Sequence, residues 1–390
     1  MKSITIFWFR RDLRIEDNCG LFHALKENKN VLPIFIYDLN ILKNFSNDDP
    51  RIEFIYNSLK LLDDTFKKNQ SSIKIFKGEP EKIFSQLLTD YNIKNVFFNR
   101  DYEPYAIERD EKIKKFLNSK KIDVFDFKDH VIYEKNEIIK TDGSPYRVYT
   151  PYSKLWLSKF LSEGIEKFKS ENYLKNLVNF KNQDRISFED LGFKKSLIKI
   201  PKYKIDLNFI DNYEQTRNFP IFKTSKIGLY LRFGILGIRD LVLLASKSKN
   251  YTFLKELIWR EFFIQILWHF PNTINKSFKP KYDSIKWLND RKKFELWCQG
   301  KTGFPLVDAG MIELNSSGFM HNRVRMITAS FLCKHLLIDW RKGEKYFAAK
   351  LFDYEQASNV GNWQWVAGCG VDAAPYFRIF NPTEQLKKFD

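Results

Sequence analysis

Hydrophobic residues fall into two rhythms along this chain. Over residues 3–127, short runs rich in β-branched and aromatic side chains alternate with amphipathic stretches. The runs Ser3–Phe9, Val31–Asp38, Ser72–Lys77, Asn95–Asn99 and Ile122–Phe127 predict strands, and Arg51–Lys68, Glu79–Tyr91 and Glu103–Asn118 predict helices between them. Such alternation implies an α/β domain with a doubly wound parallel sheet. The first strand runs into WFRRDLRIEDN and not into GxGxxG, which argues against a Rossmann-type dinucleotide cradle in this half. Residues 128–205 lose the rhythm: a turn is expected at Thr141–Arg147, followed by a Lys-rich polar stretch around 165–204. From Asp206 onward the period is helical, most clearly over Leu254–Phe270 and Asn322–Trp340, so an all-α second domain is expected. The expected division is 1–130, a connector over 131–205, and 206–390.

At 390 residues the chain has room for two or three domains with ample cores. Aromatic residues make up 16% of it, enough for a large core and for stacking surfaces as well. A net charge of +17 and a pI near 9.4 fit a polyanionic partner, or a merely Lys-rich solvated surface, equally well. Cys19, Cys298, Cys333 and Cys369 are scattered with no CxxC pair, which points to reduced structural thiols in a cytoplasmic protein and away from a zinc site. The N-terminal apolar run is too short for a signal peptide, and no run approaches the roughly 18 residues of a membrane span.

Several groups of side chains are poorly explained by core filling alone. In KELIWREFF, Glu256, Trp259, Arg260 and Phe263 share one helical face. Taken alone, an ordinary amphipathic helix would bury Leu257 and Phe262 there and leave Glu256 and Arg260 in water. Asn322, Arg325 and Met326 share another face, and Arg325 needs an acid if buried. Over 212–234, Tyr213, Arg217, Thr224, Ser225 and Lys226 precede a helix start at Ile227 and Gly228; this is either an anion site or a plain cap. Trp340, Trp363 and Trp365, with Asn359, crowd the stretch 321–378. Singly, each tryptophan reads as core; together they suit a redox cofactor beside a base-stacking pocket.

These motifs, from WFRRDLRIEDN through ELIWREF and GKTGFPLVDAGM to FRIFNPTEQLKKFD, closely resemble the DNA photolyase/cryptochrome family across nearly the whole chain, and most of all a class I cyclobutane pyrimidine dimer photolyase. The resemblance implies an N-terminal antenna domain and a helical domain holding FAD. It implies flavin contacts from Tyr213, Thr224, Ser225, Lys226, Ile227, Gly228, Arg325, Asp353, Tyr354, Glu355 and Asn359. Arg325 would pair with Asp353, and Asn359 would face flavin N5, a position where signalling cryptochromes commonly carry other residue types. Arg217, Glu256, Trp259, Arg260, Phe263, Asn322, Arg323, Met326, Trp365 and Gln385 would meet DNA, Glu256 hydrogen-bonding the damaged bases. Trp363, Trp340 and Trp287 would relay electrons, with Trp297 competing for the outer place. Enzymes of the family that act on (6-4) photoproducts carry histidines at the positions of Asn322 and Met326, so the lesion expected here is a cyclobutane dimer, flipped out of the duplex.

Three departures accompany the resemblance. Gly228 stands where the family often has serine, and Tyr105–Ala106 where one folate-binding branch has Asn-Glu. The chain also stops at Asp390, where most of the family continue. The antenna stays open: methenyltetrahydrofolate, a deazaflavin, another flavin or no second chromophore. The expected protein is a cytoplasmic monomer repairing dimer-containing DNA in blue light, nucleoid-associated in use. The alternatives are a cryptochrome-like photoreceptor or a nucleotide-binding protein without photochemistry.

Overall fold

The computed structural model describes residues 3–179 and 186–389; positions 180–185 of the expected connector, and Asp390, lie outside the described residues. The chain divides into two compact units. One comprises Met1–Ile132, Ile165–Ile200 and Tyr230–Leu241; the other comprises Tyr133–Gly164, Pro201–Leu229 and Val242–Asp390. The stretch read as a connector is therefore shared between the two.

In the first unit, β1 (Ser3–Phe9), β2 (Val31–Asp38), β3 (Lys74–Gly78), β4 (Asn92–Asn99) and β5 (Asp123–Phe127) form one parallel sheet in the order β3-β2-β1-β4-β5. Helices α1 (Cys19–Glu27), α2 (Leu39–Leu42), α3 (Pro50–Lys68), α4 (Pro80–Asp90) and α5 (Pro104–Ser119) complete it. Proline opens α3, α4 and α5, where a missing N–H costs nothing. β2 is buried along its whole length and β1 from Ile4 on, which is why both read as unbroken apolar runs. Phe7, Phe9, Phe35 and Tyr37 pack into one core; Ile6, Trp8, Ile34 and Ile36 pack into another. The alternation by twos assigns these residues to opposite faces of the sheet.

WFRRDLRIEDN leaves β1 where the strand order reverses, and its charges knit the loop together. The Arg10 N–H donates to Asp12 Oδ1 at 2.6 Å, and Asn99 Nδ2 to Asp12 Oδ2 at 2.6 Å. Asn18 caps α1, accepting from the Leu21 N–H. Arg14 reaches both oxygens of Asp129 at 2.8 Å; Arg239 bonds Asp129 at 2.6 Å and Asp17 at 2.9 and 3.0 Å. The Asp129 side chain has no exposed surface. Burial pushes its carboxyl up, but Arg14 and Arg239 outweigh burial and hold it at about 2. Asp129→Asn leaves two guanidiniums under-compensated and is expected to cost about 3–5 kcal/mol, read as a lowered denaturation midpoint. A folded-state value below the unfolded one means this contribution is present at neutral pH and is lost as pH falls from about 4 through about 2. The gap between wild type and variant should shrink over that range.

From residue 149 the elements are helical: α6 (Tyr149–Glu163), α7 (Leu207–Thr216), α8 (Ile227–Arg232), α9 (Ile238–Ala245), α10 (Thr252–His269), α11 (Arg291–Gln299), α12 (Pro305–Ser317), α13 (Asn322–Ser330), α14 (Trp340–Lys350), α15 (Gln356–Ala367) and α16 (Pro382–Phe389). α10 is buried on nearly all sides, as its lack of a polar face implies. Its buried Glu261 accepts from the Trp156 indole at 2.6 Å and from the Tyr133 N–H at 3.0 Å, while Gln265 donates to the Ile138 carbonyl at 2.8 Å. Those bonds leave the opposite side of α10 for Glu256, Trp259 and Arg260.

One expected helix is corrected. Asn322–Trp340 is not continuous: α13 ends at Ser330, a π-turn follows over Phe331–His335, Leu337 turns left-handed at φ 52°, and Asp339 caps a new helix. Phe331, Leu332, Cys333, Ile338 and Trp340 all enter the same core as α13, so the apolar pattern runs on through the break and conceals it.

Candidate functional site

Apart from one Tyr105–Asp38 bond, the geometry described here lies within the second unit. Arg217, at the end of α7, brings Nη1 to 2.6 Å from Oε1 of Glu256 on α10, and Arg260 grips both oxygens of Glu355 at 2.9 and 3.0 Å. Glu256 and Arg260 are therefore paired and partly buried, and the solvated face that periodicity alone suggested is not formed. Trp259 lies flat on Tyr149, with ring centroids 3.7 Å apart and planes 7° from parallel. The Tyr149 hydroxyl donates to the Lys255 carbonyl at 2.7 Å, so the stacked ring is itself tied to α10.

α13 starts at a histidine cap: His321 Nδ1 accepts from the Arg323 N–H at 3.2 Å. Burial, reinforced by Arg325, Lys226 and Arg323, lowers this imidazole to about 4, so it stays neutral and able to accept. One turn on, Arg325 donates to the Met320 carbonyl at 2.8 Å and to both Asp353 oxygens at 3.1 and 2.9 Å. The expected Arg325–Asp353 pair is formed. Asp353 in turn presses on α8. A Cβ added to Gly228 would lie 2.9 Å from the Asp353 Cβ, so the glycine is needed for this close approach.

Three cavities open around these groups. One of 310 Å³ is lined by Tyr213, Thr224, Ser225, Lys226, Ile227, Gly228, Arg325 and Asp353. That is near the lower end of ligand sites, roughly 300–1,000 Å³. A narrower one is lined by Asn322, Arg325, Met326, Asp353, Tyr354, Glu355, Asn359 and Trp363. The third, of 290 Å³, is walled by Arg217, Glu256, Trp259, Arg260, Phe263, Asn322, Met326 and Trp365. Asn322 lines all three, and Met326, Ser358 and Asn362 line the last two. Asn359, which lines the narrow cavity, donates from Nδ2 to the Glu344 carbonyl at 3.2 Å and to its Oε1 at 3.0 Å. Burial raises the Glu344 carboxyl, against the hydrogen bonds of Asn359 and Tyr354.

Trp340, Trp363 and Trp297 are buried in one core, with Trp297 and Trp363 rings 6.2 Å apart; Trp287 packs against that core and is only half-buried. Trp363 lies so close over α14 that a Cβ on Gly343 would come within 2.2 Å of its ring. Two expected DNA contacts line none of these cavities. Arg323 bonds Asn218 Oδ1 at 2.5 Å and covers Phe389, while Gln385 sits on α16. Sequence reasoning missed Glu344, Ser358, Asn362 and Tyr149. Asn362 lies three residues from Asn359 and four from Ser358, a helical spacing that could have revealed the group; Glu344 and Tyr149 approach from distant segments and left no local signal. In the first unit, Tyr105 donates to Asp38 Oδ2 at 2.6 Å. Among the described residues no helix is long and apolar enough to cross a membrane, and no group of three or more His, Cys, Asp or Glu is placed to hold a metal ion.

Known proteins resemble this chain along its whole length. A family model described as DNA photolyase matches residues 5–171, and one described as the FAD binding domain of DNA photolyase matches residues 253–390. A deoxyribodipyrimidine photo-lyase of Alkalihalophilus pseudofirmus is 35% identical, the match covering 100% of this chain and 85% of the relative. A class III photolyase from Agrobacterium tumefaciens superposes with a TM-score of 0.84 at 33% identity, covering 100% of this chain and 85% of that one. An archaeal photolyase from Sulfolobus tokodaii, solved with two FAD molecules, gives 0.83 at 33% identity, covering 99% and 87%. Since a class III enzyme stands among these neighbours, the likeness to class I is not singled out. On the strength of a relative above 30% identity over the whole of this chain and 85% of its own length, and of matching family models at both ends, the chain belongs to the DNA photolyase family.

Proposed function

We propose that this chain is a deoxyribodipyrimidine photo-lyase that repairs cyclobutane pyrimidine dimers in DNA under blue light. The observation that supports the reading is the sharing of Asn322, Met326, Ser358 and Asn362 between an aromatic-walled cavity and the cavity of Asn359, so that a flipped pyrimidine dimer in the first would adjoin a cofactor in the second. The donor set fits FAD. Thr224, Ser225 and Lys226 offer hydroxyls and an ammonium to a diphosphate, and Asn359 offers an amide to a polar ring edge. When bound and reduced, FAD supplies the light-excited one-electron donor that the dimer needs.

The chain's own residues then have separable tasks. Trp259 and Trp365 give the extrahelical bases two indole faces, and Met326 fills the remaining wall. Glu256 is held by Arg217, so its free oxygen is aimed without cost at the moment of reaction and can accept from a base N–H where charge develops. The Lys-rich surface supplies nonspecific phosphate attraction, making binding salt-dependent. In the segment after α15, Tyr376 and Phe377 are 70% and 71% exposed, aromatic side chains suited to fill the gap a flipped dimer leaves in the duplex. The division into 1–130, 131–205 and 206–390, action as a monomer, and a second light-collecting chromophore stay part of the proposal.

Illuminating purified protein with a dimer-containing oligonucleotide, against a dark control, is the test. Light-dependent loss of dimers is expected, and bound flavin without repair would favour the photoreceptor. Trp363→Phe should slow photoreduction of the oxidised protein by more than about tenfold, a barrier increase of about 1.4 kcal/mol, while repair by chemically pre-reduced protein stays near wild type. Full burial of Trp297 and half-burial of Trp287 favour Trp287 as the outer indole.

A further inference from the structure

The π-turn between α13 and α14 does more than change helix direction, because it delivers the ammonium of Lys334 to two carbonyls on different segments. Lys334 Nζ donates to the Ala367 carbonyl at 2.9 Å and to the Tyr376 carbonyl at 3.3 Å. Ala367 is the last residue of α15, the helix that carries Trp365, and a helix C-terminus is where a cation is stabilised by unpaired carbonyls. Tyr376 lies in the exposed run Pro375–Ile379.

The rest of the join is made through Trp365. Its carbonyl accepts from Gly368 and, at 3.2 Å, from Ala374, and the Arg378 guanidinium lies 6.0 Å from its ring. The loop therefore hangs from α15 by the Trp365 backbone bonds near its start, rests its Asp372 carboxylate on the Tyr149 N–H at 3.1 Å, and is held at Tyr376 by the Lys334 ammonium. Half-buried, that ammonium is costly to leave without its acceptors, and burial lowers its pKa.

We infer that Lys334 is a positioning residue that fixes the exposed Pro375–Ile379 run against Trp365, and so sets preference for dimer-containing over undamaged duplex. This rests on the reading of the third cavity as the lesion pocket. It touches neither DNA nor cofactor; it acts through the loop it holds.

Lys334→Met keeps length and apolar stem but removes both bonds, and Lys334→Gln serves as a second variant retaining a donor. Affinities for dimer-containing and undamaged duplex are measured at two salt concentrations, together with flavin content and repair at saturating substrate. Expected for Lys334→Met are a loss of about tenfold in dimer affinity, the size of one charged hydrogen bond, and unchanged flavin content and saturated repair. Undamaged-duplex affinity should stay within about twofold with the same salt slope, and Lys334→Gln should fall between. An equal loss for both duplexes with a salt slope reduced by about one would make Lys334 a phosphate contact and overturn the inference. Unchanged dimer affinity in both variants would overturn it too. Trp365→Ala is the control: should that variant bind dimers normally, the lesion-pocket reading itself is what fails.

Discussion

Trp259→Ala is expected to weaken binding of dimer-containing DNA by about 10- to 100-fold, the worth of one base–aromatic stack, while affinity for undamaged DNA hardly moves. The size follows from how the indole is held. Trp259 is sandwiched on Tyr149 at 3.7 Å, and the Tyr149 hydroxyl is bonded back to α10, so its free face is offered flat and with little rotamer freedom to lose. Phosphate contacts made by lysines elsewhere are untouched, which keeps the undamaged duplex as an internal control. Trp259→Phe should recover most of the loss. Competition between damaged and undamaged oligonucleotides measures both numbers together; an equal drop for each would remove Trp259 from the lesion pocket.

A second large effect is expected at Gly228, with a sign opposite to that suggested by family likeness. Serine there should reduce FAD retention by about tenfold, in the range of overpacking costs of about 1–3 kcal/mol, although it adds a hydroxyl to the cavity. The added Cβ would meet the Asp353 Cβ at 2.9 Å, and that carbon is fixed by the bidentate bond of its carboxylate to Arg325. Relief must displace Asp353, and with it Arg325 and the first turn of α13. The flavin-to-protein absorbance ratio of purified protein, followed through dilution, reads the outcome. Equal or better retention in Gly228→Ser would show that Asp353 yields easily and that the pair does not fix the cavity wall.

Legibility differed from element to element for physical reasons. The central strands β1 and β2 announced themselves because they are buried on both faces, and the edge strands β3 and β5, only part-buried, by their short β-branched and aromatic runs; strand ends moved by a few residues, as with Lys74–Gly78 against the expected 72–77. Glu256, Trp259, Arg260 and Phe263 were readable as a group because helical spacing alone puts them together. The break after Ser330 was not readable, since both sides of it feed one core.

What the sequence by itself determined is the set of local rhythms, the excess of positive charge, and the residue types gathered on individual helices. Those depend only on neighbours a turn apart, and they were enough for the fold class and most of the candidate residues. Tertiary structure decided the pairings: Arg217 with Glu256, Arg260 with Glu355, Asn359 with Glu344, Tyr149 with Trp259, and Lys334 with the ends of α15 and its following loop. Each joins residues from separate elements, and no periodicity records which distant acid will neutralise a buried cation or which ring will back an indole. Such partners are chosen by how the helices pack, because burial penalises any charge or donor that arrives unmatched.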